Sequence, residues 1–317
     1  VNTVDLQNLV ARRVPGFDPS EYLSELNDAY QEAYDIIIQL DDSYFTDIAT
    51  VTVNTQQDNF DLQWNQDAAL DTAVSRRLFQ IDRVRLLFAN SNGWIPSDHL
   101  HFNQADFLAQ QQNPTPGGQT TGPMFHVLYG RDQIKFSRPP VVGTKIEVTF
   151  SSEFMPLTTL SAGTVTSAGA VLTGTGTKFT QLLGPDFQGD LPGGSFGLEI
   201  EAELIAGGFT QRVKTVTDDT HLTLFTAPPV ALSGATYTLA TVPDIPSPHH
   251  RIISTLATRN ILTTPAEDDR FTEWAARSQQ AIERMKDSVL QRQRQKNARK
   301  ARFPFGAVRR GRFTGVR

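Results

Sequence analysis

Residues 161 to 242 place the tightest limit on how this chain can fold. The stretch is rich in Gly, Thr, Ala and Val and carries hardly any charge before Glu199. Its apolar residues, from Val165, Val171 and Leu172 through Val213, Val216, Leu222 and Leu224 to Tyr237 and Leu239, fall in short alternating segments. Gly, Pro or Asp-Asp breaks each segment. A period of two puts neighbouring side chains on opposite faces of a strand, so an all-β unit of about eighty residues is predicted, a small sandwich or barrel. Gly174-Thr175-Gly176-Thr177 has the glycines of a phosphate loop but neither the Lys-Ser/Thr pair nor a helix aimed at a phosphate, so it reads as a turn. Glu199, Glu201 and Glu203 alternate and share one face of an expected strand. Paired carboxylates could serve a hydrolase, yet three acids on a solvent face is the ordinary reading.

The flanks have a different period. A short helix over residues 4 to 13, capped by Thr3 and ended by Pro15-Gly16, precedes a longer one from Asp18-Pro19 to about residue 41. Tyr22, Leu23, Leu26, Ala29, Tyr30, Ala33, Ile37 and Leu40 give the second helix one buried face. Asp41-Asp42 at its end opposes the helix dipole and reads as a stop, not a metal site. Strands are expected at 46–54 and 83–88, and Ser97 is expected to cap a helix across 98–112. His99 and His101, two apart on that helix, lack the spacing of metal ligands. Phe125 to Tyr129, Gln133 to Phe136 and Lys145 to Phe150 read as a three-stranded antiparallel meander. Ser247-Pro248 opens a helix of about fourteen residues, with His249 and His250 in its first turn as structural groups.

The C-terminal fifty residues change character partway. Thr264-Pro265-Ala266-Glu267 is a capping box, and Phe271, Trp274, Ala275, Ile282, Met285 and Val289 form one apolar stripe along the helix it starts. No acid follows Asp287, and residues 291–317 carry ten Lys or Arg. The cations Arg292, Arg294, Lys296, Arg299, Lys300, Arg302, Arg309, Arg310 and Arg312 are interleaved with Phe303, Phe305 and Phe313, and these twelve are the candidate partner-binding residues. Exposed phenylalanines invite association, so the reading is a helix of the fold followed by an arm that orders on a partner.

Composition then narrows the function. The net charge of −5 is uneven: residues 1–290 hold 19 Lys or Arg against all 34 acids, a net −15. An acidic body with a cationic arm favours docking onto an acidic surface. Cysteine is absent, which removes disulfides, thiolate metal sites and Cys nucleophiles. No nucleophile elbow, HExxH or Walker loop occurs, so the chain is expected not to be an enzyme and to need no cofactor or metal. No apolar run reaches membrane-spanning length and the N-terminus carries no signal-peptide core, so a soluble protein made in a cytoplasm, with no membrane partner, is expected.

One order of segments resembles a known family. A Tyr-rich amphipathic N-terminal helix is followed by Pro123-Met-Phe-His-Val-Leu-Tyr-Gly130, Ile134-Lys-Phe-Ser-Arg-Pro-Pro140 and Ile146-Glu-Val-Thr-Phe150. Met155-Pro-Leu157, Ile245-Pro-Ser-Pro-His-His250 and a long C-terminal helix complete it. This order resembles the head-to-tail adaptor (connector) proteins of tailed bacteriophages, over most of residues 1–160 and 243–295. Separately, Val171-Leu-Thr-Gly-Thr-Gly-Thr-Lys-Phe179 and Asp219-Thr-His-Leu-Thr-Leu224 resemble small β-modules of phage structural proteins. The resemblance implies an α+β fold, a helical-bundle adaptor domain with a small antiparallel β meander plus an inserted all-β sandwich or barrel. Its domains would be 1–160 with 243–290, an insert at 161–242, and a basic arm at 291–317. It implies a homo-oligomeric ring, commonly of twelve copies, in the virion neck. The partners would be the portal, neighbouring copies, tail or nozzle proteins and transiting DNA. Two alternatives stay open: a nucleic-acid-binding protein using the basic tail, or another phage protein that attaches a tail or fibre.

Overall fold

The computed structural model describes residues 1–41, 43–63, 69–72, 74, 78–88, 91, 93–100, 124–130, 132–183, 198–263 and 270–302, with side chains described to residue 294 except at 183, 198, 199 and 263. Three separate apolar cores organise them. The first is helical. α1 (Thr3–Arg13) starts at Asn2, whose Oδ1 accepts the Asp5 N–H at 3.0 Å while Asp5 accepts the Asn2 N–H at 3.3 Å. That reciprocal cap displaces the expected Thr3 cap. Thr3 is buried and instead donates to the Thr241 carbonyl at 2.8 Å. α2 (Pro19–Leu40) begins where the Asp18 N–H meets Glu21 at 2.7 Å, and it buries Tyr22, Leu26, Ala29, Tyr30, Ala33 and Ile37 as its 3.6-residue period demands. α3 (His250–Thr263) follows a 3₁₀ turn at Ser247–His249, and α4 (Arg270–Arg302) is the longest helix. All four share one core with Leu157 and Ile245.

The second core belongs to a seven-stranded sheet. Its strands are β1 (Thr46–Thr52), β2 (Asn59–Asp61), β3 (Leu78–Leu87), β4 (Ile95–His99), β5 (Met124–Tyr129), β6 (Gln133–Phe136) and β7 (Lys145–Ser152). They run in the order β1-β7-β3-β4-β5-β6-β2, antiparallel throughout except for the parallel pair β4–β5. Phe60, Val84, Leu86, Phe136, Ile146, Val148 and Phe150 fill one face.

The third core lies in a second sheet of eight strands from residue 159 to 241. They are β8 (Thr159–Leu160), β9 (Thr164–Ala168), β10 (Val171–Thr175), β11 (Leu198–Glu199), β12 (Ala202–Ala206), β13 (Phe209–Val216), β14 (His221–Leu224) and β15 (Tyr237–Thr241). The order is β8-β15-β12-β13-β14-β10-β9, with β11 on β13. The turn read at 174–177 ends β10, and Gly176 there takes φ +68°. Gly163 is confined by packing as well: a Cβ on it would lie 2.4 Å from the Thr175 carbonyl oxygen.

The expected fold class is overturned. The chain is mostly β, with two large sheets and four α-helices among the described residues, and not a helical bundle carrying a small meander. The meander fails for a specific reason. β5 and β6 form a hairpin, but β7 leaves past Pro139-Pro140 to lie between β1 and β3 instead of beside β6. The helix expected from Ser97 is also corrected, because Ser97, Asp98 and His99 lie in β4 and pair with β5. Leu100 continues from that strand, its N–H donating to the His126 carbonyl at 2.9 Å, and the expected helix from His101 on lies outside the described residues, as do Asp42 and the capping box at 264–267.

The segment from 158 to 243 enters and leaves at one place on α2. Asn27 Nδ2 donates to the Leu157 carbonyl at 3.1 Å, and the Leu157 N–H donates to Asn27 Oδ1 at 2.6 Å. One turn along, Tyr30 Oη accepts the Asp244 N–H at 2.9 Å. The two ends also meet each other: the Thr158 N–H donates to Thr241 Oγ1 at 2.7 Å and the Thr241 N–H to the Thr158 carbonyl at 3.0 Å.

Candidate docking surface

Helix α4 is held to the body by Ser278, Ile282, Met285 and Val289, which are all buried. Nearer its start, Trp274 lies between two guanidinium groups, Arg13 at 4.7 Å and Arg277 at 4.9 Å from the ring centre. Arg277 also pairs with Glu273 one turn back, as the spacing predicts. The last described tie of the helix to the body is Arg292, whose guanidinium lies 4.3 Å over the Tyr44 ring. Burial raises the Tyr44 phenol, and Arg292 offsets part of that rise. Arg294 is exposed. Lys296, Arg299, Lys300 and Arg302 lie in the helical backbone of α4. Phe303, Phe305, Arg309, Arg310, Arg312 and Phe313 lie outside the described residues. The first part of the expected arm is therefore a continuation of α4.

Next to Tyr44 the body opens into a groove that the sequence did not reveal. It has a volume of about 750 Å³ and runs between the C-terminal half of α2 and the outer face of β1, β7 and β3. Tyr34 and Ile38 come from α2, Phe45 and Phe154 from the flanking loops, and Phe79 and Asp82 from β3. Phe45 stacks on Tyr34 at 4.2 Å, and Phe154 meets the edge of Tyr34 at 4.9 Å. Two bulges shape the β3 wall: Leu78 and Gln80 face consecutive partners Ser152 and Ser151, and Ile81 and Arg83 face Phe150 and Thr149. The skipped residues are Phe79 and Asp82, both turned outward into the groove. A bulge re-aims a side chain that strict alternation would send elsewhere.

Carboxylates lie near Tyr34 at the groove wall. Burial pushes the Tyr34 phenol up to about 12, and the carboxylates of Asp244, Asp35 and Glu153 add to the rise. Ser151 Oγ donates to Asp82 at 3.2 Å and Ser152 Oγ to Asp47 at 3.4 Å. Arg83 is the cation of the lining among the described residues.

Other residues singled out by sequence are dispersed. Glu199 ends β11, Glu201 lies between β11 and β12 and pairs with Arg212 at 2.6 Å, and Glu203 in β12 accepts from Asn2 Nδ2 at 2.7 Å, so no single strand carries all three. Asp41 is buried and closes a turn by accepting from the Ser43 N–H and hydroxyl at 3.2 and 2.7 Å. His250 Nε2 bonds to the Ile245 carbonyl at 2.8 Å. The histidine that sequence reading missed is His126, buried in β5, with Nδ1 2.9 Å from Ser97 Oγ and its ring 5.4 Å from that of His99. Burial lowers its pKa to about 4, with His99 adding to the shift. Its signal was available: Met124 and His126 sit two apart on a strand and face the same way. Among the described residues, no group of three or more His, Cys, Asp or Glu is placed to hold a metal ion.

The described helices include none long and apolar enough to cross a membrane. No protein-family model matches the sequence, and no curated protein matches it.

Proposed function

We propose that the chain is a virion structural protein, a head-to-tail adaptor of a tailed bacteriophage. It forms a ring beneath the portal, joins it to the tail, and is anchored through the far end of α4. One stripe of that helix carries the reading. Ser278, Ile282, Met285 and Val289 follow one another at intervals of four, three and four and are buried, and the same spacing continues as Arg292, Lys296 and Arg299. A stripe that turns cationic at the same azimuth can no longer enter an apolar core, because an unpaired buried charge is too costly. The helix therefore leaves the body past Arg292, which is stacked on Tyr44. From Arg292 to Arg302 it extends about 15 Å further and bears six cations and no acid, beside a body of net −15. That polarity suits insertion into an acidic cleft of a larger ring. The role asks for no catalytic group, cofactor or metal.

The test is attachment of the full chain to isolated portal rings, compared with an Arg292→Glu, Lys296→Glu, Arg299→Glu variant. The variant should bind at least tenfold more weakly while keeping its helical signal. Equal binding by the two proteins refutes the anchor. Binding to duplex DNA alone, with a log-linear fall in salt set by the number of phosphates contacted, replaces the portal with nucleic acid as the arm's partner.

A further inference from the structure

We propose that the groove between α2 and the β1-β7-β3 face is the seat for residues 303–317 of a second copy of this chain, with their phenylalanines as anchors. The proposal rests on the adaptor reading only in taking copies to be neighbours. It leaves the basic stretch Arg292–Arg302 to the portal.

The groove has the chemistry of such a segment. Its floor is aromatic and aliphatic, and Phe79 and Ile38 stay 58 % and 39 % exposed. Ile48, 62 % exposed on β1, extends the apolar surface beside Thr149 of the lining. Large apolar side chains gathered at one concave place mark a docking site more than scattered ones do. A volume of about 750 Å³ falls within the roughly 300–1,000 Å³ typical of sites that enclose a compact ligand, so two aromatic rings fit. Asp82 and Arg83 both stand in the lining, and the carboxylates of Asp35 and Glu153 lie near its Tyr34. The matching occupant carries aromatic rings among cations. Residues 303–317 supply Phe303, Phe305 and Phe313 with Arg309, Arg310, Arg312 and Arg317, and no acid.

The length of chain and its starting place favour a neighbour. Arg292 is stacked on Tyr44, next to the groove, and α4 carries the start of the segment about 15 Å away from there. Pro304 and Gly306 are residue types that disfavour a helix. Fifteen residues can then span up to about 50 Å, enough to reach the groove of an adjacent subunit. A tail on one surface and a groove on another make a head-to-tail contact, the kind that closes into rings. The cationic segment also offsets the repulsion between acidic bodies.

The experiment is sedimentation velocity on the full chain over a concentration series, with no portal or nucleic acid present. Its failure therefore leaves the portal reading to its own test. Phe79→Arg blocks the groove at a side chain outside the core, and Phe303→Ala with Phe305→Ala removes the anchors. The wild type should associate beyond dimer as concentration rises, and each variant should associate at least tenfold more weakly. An equimolar mixture of the two variants should form one-to-one pairs and nothing larger, because only one arm–groove contact can be made. Wild-type association by either variant, a monomer at every concentration, or a mixture that does not complement overturns the proposal. A wild-type monomer whose arm is protease-protected, with the protection lost in Phe79→Arg, would put the arm in its own groove.

Discussion

Asn27→Ala should loosen the helical unit far more than an exposed substitution one turn away on the same helix. The Asn27 side chain is both donor and acceptor to the backbone of Leu157, at 3.1 and 2.6 Å. Leu157 itself is 2 % exposed and packs in the helical core. Removing the amide leaves an N–H and a C=O of a buried residue unpaired. Each such group costs about 1–3 kcal/mol, and relaxation toward water recovers part of that, so about 2–4 kcal/mol is expected. The control is Gln31→Ala, which removes only the exposed bond to Asp35 and should change stability by no more than about 0.5 kcal/mol. Urea unfolding followed by far-ultraviolet circular dichroism reads the helices. With a slope of about 2–3 kcal/mol per molar, Asn27→Ala should move the helical midpoint down by roughly 1 M. Coincident midpoints for the two variants would refute the claim that Asn27 holds the junction.

Three further outcomes follow from the same geometry. His126 keeps its imidazole neutral in the fold down to about pH 4, against about 6.5 when free. Below pH 6.5 the unfolded chain therefore binds a proton that the native one does not, and roughly 3 kcal/mol of stability should drain away between pH 6.5 and 4. Urea midpoints measured across that window should flatten in His126→Asn. Gly163→Ala places a Cβ against the Thr175 carbonyl at a φ of +85° and should cost the second sheet at least about 1–3 kcal/mol, read as earlier proteolysis within residues 159–241. Replacing 161–239 by a short Gly-Ser linker should leave the helices cooperative, since Thr158 and Thr241 are already hydrogen-bonded neighbours and a short loop costs little to close. Loss of most helical signal in that variant would show that the insert is not separable.

The helices were legible because each signals itself locally. The α2 stripe from Tyr22 to Ile37 needs only a period and an Asp18-Pro19 start. Strand positions were partly legible, but strand partners were not. Pro139-Pro140 shows that β6 ends, and says nothing of β7 crossing to lie between β1 and β3. Ser97-Asp98 has the chemistry of a helix cap, and only the parallel pairing with Met124 and Phe125 makes it a strand. In the candidate surface, the cations of α4 were visible as a charge run, whereas the groove was hidden. Its Phe79 and Asp82 are displaced by two bulges, which break the alternation that a sequence pattern can detect.

The most direct measurement of the central proposal is electron cryo-microscopy of the full chain mixed with portal rings. A closed ring of this chain should appear beneath the portal, with α4 beyond Val289 entering the portal density and Arg292 to Arg302 against acidic side chains. A portal left bare, or a bound ring whose α4 ends point into solvent, would contradict it.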